Sequence, residues 1–70
     1  MMPLTMAKAG ESFIIRSISG RDEVRRHLAE LGFAADGNVT VVNKIAGNLI
    51  VEVRNSRIAL NRTMANRIMI

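Results

Sequence analysis

His27 is the only histidine in a chain of 70 residues that has no cysteine. A nucleophilic triad would need a serine and an acid brought to that imidazole, yet Ser12, Ser17, Ser19 and Ser56 stand in no recognisable nucleophile motif. One imidazole and no thiolate fall short of the four ligands of a structural zinc site, so tight structural iron or zinc is not expected. The five methionines, Met1, Met2, Met6, Met64 and Met69, contain no close Met-x-x-Met repeat and read as core fillers or contact residues rather than copper ligands. Five glycines each stand alone at a turn signal, with neither a dinucleotide fingerprint nor a phosphate loop and its lysine. Together these residue types predict no catalytic residues, no metal ligands and no cofactor.

Charge offers more. Ten Lys and Arg against six Asp and Glu give a formal net charge of +4, which favours an acidic partner surface. Nucleic acid is not the expected partner. The basic residues are spread along the chain with no run longer than Arg25-Arg26, and the chain has no Tyr or Trp on which bases could stack. Its two phenylalanines, Phe13 and Phe33, fall in core-like contexts.

The elements that must position these groups fit one domain over residues 1–70, because a chain this short has material for one modest core. "SFIIRSI" predicts a first strand, in which a bulge near Arg16-Ser17 would return Ile18 to the face of Phe13 and Ile15. Gly20 through Leu31 predicts a helix: Asp22 and Glu23 suit its first turn, and Val24, Leu28 and Leu31 form an apolar stripe. Gly32 supplies a left-handed stop, and Phe33 stands where a Schellman motif packs its hydrophobe on Leu28. His27 lies about 60° from the stripe's centre, one turn after Glu23, and reads as a helix-edge residue paired with that carboxylate.

Beyond the turn "AADG" the period changes from 3.6 to 2. Val39, Val41 and Ile45 are expected on one face of a strand, Ala46-Gly47 turns the chain, and Leu49, Val51 and Val53 line the next strand. Asn55-Ser56 reads as a second turn, "RIAL" as a short strand, "NRTMAN" as a helical turn and "RIMI" as a closing strand. Five short strands and one inserted helix suggest a small, partly open barrel. No apolar run approaches half the ~18 residues of a membrane span, and no basic segment precedes an apolar one at the N-terminus, so the chain reads as cytoplasmic.

The segments "MPLTMAKAGESFIIRSI", "DEVRRHLAELGF", "DGNVTVV", "GNLIVEV" and "SRIALNRTMANRIMI", in this order, resemble the FeoA family from end to end. The resemblance implies a mainly β, SH3-like small barrel with a helix after its first strand. It also implies a non-enzymatic accessory of bacterial ferrous iron transport that binds the cytoplasmic GTPase region of the transporter FeoB and reaches the membrane only through it. The expected state is a monomer or weak oligomer. A similar barrel ends iron-dependent repressors, so the alternative functions are a detached regulatory domain or a basic nucleic-acid-binding barrel. Where the family pattern has proline before Gly10 and Gly37, this chain has Ala9 and Asp36, turn positions at which either residue is expected to fit.

The expected partner surface combines Arg21, Arg25 and Arg26, which lie off the helix's apolar stripe, with Arg62 and Arg67 beside Met64 and Met69 at the end of the chain. Arg and Met are enriched at protein contacts.

Overall fold

A computed structural model describes all residues from Met1 to Ile70. After a one-turn 3-10 helix at Leu4–Met6, the elements run β1 (Ser12–Ile14), β2 (Ser17–Ile18), α1 (Asp22–Leu31), β3 (Asn38–Ile45), β4 (Asn48–Val53), β5 (Ser56–Asn61), α2 (Arg62–Ala65) and β6 (Ile68–Met69). Four strands make one antiparallel sheet in the order β1-β3-β4-β5, and β2 pairs with β6 in a second. The two sheets enclose a single core, in which Leu4, Ile15, Leu28, Phe33, Val41 and Ile68 are fully buried.

The first strand is divided, not bulged. The Ile15 N–H donates to Gly37 O at 2.9 Å, toward β3, while the next N–H, of Arg16, donates to Met69 O at 2.7 Å, toward β6. The backbone thus changes sheets between two residues, and Phe13, Ile15 and Ile18 all still pack on the core. The chain ends meet beside β6: Met2 N–H donates to Ile70 O at 3.0 Å and Ile70 N–H to Met2 O at 2.8 Å.

Helix α1 forms where the apolar period predicts. Leu28 is buried, and Val24 and Leu31 pack against the core from half-buried positions. Gly32 ends the helix at φ 109°, ψ 3°. The Phe33 N–H reaches back to Leu28 O at 2.9 Å, the bond that defines a Schellman motif, and Phe33 is buried.

The β3–β4 hairpin turns through Ala46 (φ 50°) and Gly47 (φ 83°), and β4–β5 turns through Arg54 (φ 49°) and Asn55 (φ 64°). Two left-handed central residues make a type I′ turn, whose twist matches that of paired strands. The second turn therefore lies one residue earlier than Asn55-Ser56. Before the first of these turns the expected alternation of β3 fails at Val42. Val41 faces Val51, but the next pair is Asn43 with Ile50, so Val42 is an extra residue in a bulge. One extra residue exchanges the two faces: Lys44 lies opposite Leu49 on the inner side, and Ile45, expected in the core, is 54% exposed.

The turn before β3 corrects a second expectation. Asp36 has φ 69°, its N–H donates to Ile15 O at 2.8 Å, and Gly37 N–H donates to Ala34 O at 3.0 Å. Proline is held near φ −65° and has no N–H, so it does not fit this backbone, whereas Asp visits the left-handed region readily.

Candidate partner-binding surface

The expected surface residues fall into separate places. Arg21 is the extended residue before α1, and Arg25 follows one turn later, 3.7 Å from Asp22 in an exposed ion pair. At ~100° per residue, Arg21 and Arg25 share one flank of the helix with Ala29, while Arg26 lies about 170° from the apolar stripe on the solvent side. Arg67 joins the first group. The Ser19 N–H donates to Arg67 O at 2.8 Å, and the Arg67 side chain lies over Gly20, where an added Cβ would be 3.5 Å from Arg67 Cδ. The start of α1 and the loop before β6 thus bring Arg21 and Arg67 together from 46 positions apart in the chain.

Arg62 does not belong to this group. As the first residue of α2 it lines a different hollow with Lys44. Met64 is half-buried against the core, its N–H capped by Asn61 Oδ1 at 2.8 Å, and Met69 is half-buried in β6 opposite Ser17 and bridged to Pro3. Beside Arg25 lies an apolar groove of about 210 Å³ between the flank of α1 and β2, lined by Ile18, Ala29, Phe33, Ala34, Ala35 and Arg25. Small side chains make the groove: Ala29 on the Arg25 flank and the Ala34-Ala35 pair leave Phe33 and Ile18 at its floor. The run "GFAA" carried that signal, but β2 had to be placed before it became a groove.

The arrangement suits a contact in which an apolar side chain enters the groove and an acidic neighbour meets Arg25, with Arg21 and Arg67 adding positive potential beside it. His27 has no part in it. The side chain is exposed, and the expected pair with Glu23 is not formed; the ion pairs of the protein are Asp22–Arg25 and Glu52–Arg57. No three His, Cys, Asp or Glu side chains come together as a metal-binding group, and no helix is long and apolar enough to cross a membrane.

A family model described as the FeoA domain matches residues 2–70. The Fe(2+) transport protein A of Methanocaldococcus jannaschii is 30% identical over 70 residues, all of this chain and 85% of that protein. The structure of FeoA from Stenotrophomonas maltophilia, a prokaryotic SH3 domain protein complexed with zinc, is 29% identical and superposes with a TM-score of 0.85 over 99% of this chain and 88% of that one. The same TM-score is reached over 94% of this chain by 38% of a manganese-dependent transcriptional repressor at 22% identity, a likeness of fold. The two sheets are not closed into a continuous barrel, but the architecture is the SH3-like one, mainly β with one inserted helix.

Proposed function

Because the chain belongs to the FeoA family, we propose that it is a non-enzymatic accessory of ferrous iron transport, acting in the cytoplasm by binding the cytoplasmic GTPase region of the FeoB transporter. The family match takes in every element of the fold, and no constellation of nucleophile, base and oxyanion donors accompanies it. The reading is therefore one of contact: the protein supports or regulates Fe(II) uptake through what it touches.

The observation that carries the docking site is the apolar groove rimmed by Arg25. A small concave apolar surface with a cation at its edge has the composition of an interface centre and its rim. The Stenotrophomonas protein is complexed with zinc; in this chain no three His, Cys, Asp or Glu side chains come together, and the proposal is built on contact alone. The repressor likeness rests on fold, which many functions share.

Association kinetics with the purified cytoplasmic region of the transporter test the reading. Arg25→Glu should lower the association rate about tenfold at low salt and flatten its dependence on ionic strength. Arg57→Glu, on the outer face of the four-stranded sheet, should change it little. Arg26→Glu should fall between them, because Arg26 is off the groove flank. Association of Arg25→Glu as fast as wild type across a salt series would remove the α1 flank as the docking surface, and no binding by the wild-type protein would remove the partner.

A further inference from the structure

A second hollow of about 210 Å³ has the opposite character. Thr5, Lys44, Gly47, Asn48, Leu49 and Arg62 line it, with Leu49 as its one apolar member. Three pieces of chain meet there: the 3-10 turn near the N-terminus, the tip of the β3–β4 hairpin and the first residue of α2. Two basic residues, Lys44 and Arg62, line the hollow and no carboxylate does. Neither Lys44 nor Arg62 takes part in an ion pair.

Several bonds hold the donors in place. The Lys44 ammonium donates to Thr5 O at 3.1 Å, which leaves two of its N–H groups free. The Thr5 hydroxyl donates to Asn66 Oδ1 at 2.6 Å, fixing the turn that carries it. Asn61 caps α2 through Met64 N–H, so the backbone at Arg62 is set. Above all, the bulge at Val42 decides which face Lys44 occupies. An unbulged β3 would place Lys44 on the outer side; the extra residue brings it opposite Leu49 and beside Thr5.

We propose that this hollow binds a phosphate group. Two like charges facing one space are mutually unfavourable until an anion sits between them. A phosphate carries close to two negative charges and several acceptor oxygens, which suits an ammonium point charge together with a guanidinium fork better than a single carboxylate does. The hollow is smaller than the 300–1,000 Å³ usual for a whole small-molecule ligand. It therefore takes the phosphate group itself, either as the free ion or projecting from a larger molecule. The site is separate from the Arg25 groove, and the proposal does not depend on the transporter as partner.

Titration of the full chain followed by amide resonances tests it, with inorganic phosphate, glycerol phosphate, acetate and chloride compared at equal ionic strength. Inorganic phosphate should give saturable shifts at Lys44, Gly47, Asn48 and Arg62. Lys44→Gln and Arg62→Gln should each weaken binding on the order of tenfold, since each removes a charge-assisted hydrogen bond, and Arg25→Gln should leave it unchanged. Both pocket residues are exposed, so the two variants should keep the dispersed spectrum of the folded protein. If glycerol phosphate binds as well, the site accepts a phosphate carried on a larger molecule; if only the inorganic ion binds, it takes the free anion. Shifts no different from those in chloride, binding of acetate as tight as phosphate, or binding unaffected by both pocket variants would overturn the proposal.

Discussion

Gly32 meets two demands at once. Its φ of 109° lies where an L side chain costs about 1–2 kcal/mol, and an added Cβ would approach Arg54 Cδ to 3.3 Å. The arginine can give way, but the backbone cannot without breaking the Schellman bond. Gly32→Val should lower unfolding stability by about 2 kcal/mol or more, read from the denaturant midpoint, whereas an unchanged midpoint would mean that the helix ends elsewhere. Asp36 offers a sharper test because its backbone excludes proline. At φ 69°, with its N–H bonded to Ile15 O, Asp36→Pro should cost about 3 kcal/mol while Asp36→Gly should be neutral within a few tenths. Equal stability of the proline and glycine variants would contradict the left-handed turn.

At the scale of elements, α1 and the Ala46-Gly47 turn were legible in the sequence because their signals are local: a 3.6-residue apolar stripe, a glycine stop and a two-residue turn between alternating runs. The bulge at Val42 and the break after Ile15 were not, since both are set by what the neighbouring strand can pair with. "VTVVNKI" alternates as well without a bulge as with one. The candidate surface divides in the same way. The helix period alone set Arg21 and Arg25 off the apolar stripe, but their groove needed β2 beside Ala29, and the phosphate hollow needed the bulge. That bulge yields a test by paired substitution. Ile45→Thr should change stability by less than about 0.5 kcal/mol, as for an exposed residue, whereas Val41→Ala on the buried face should cost about 2 kcal/mol. A large loss from Ile45→Thr in thermal or denaturant melts would mean that β3 runs unbulged, with Ile45 inside.

Across the whole molecule, the protein is a four-stranded sheet and a two-residue ladder sharing one core, and they are unequal. In the larger sheet β3 and β4 pair over most of their length, while β2 and β6 meet at only Ser17–Met69 and Ile18–Ile68. Short ladders near chain ends open at lower free energy than central strands. The Met2–Ile70 pair should open together with β6, because it hangs on the same strand. The change of sheet between Ile15 and Arg16 then becomes a built-in clock comparison. Two consecutive amides, one bonded to Gly37 and the other to Met69, report the opening of different parts of the protein. In deuterated water the Arg16 amide should lose its proton well before that of Ile15, with a ratio of protection factors that gives directly the difference in free energy between releasing the small ladder and releasing the large sheet. Equal protection at both would mean that the molecule opens only as a single unit.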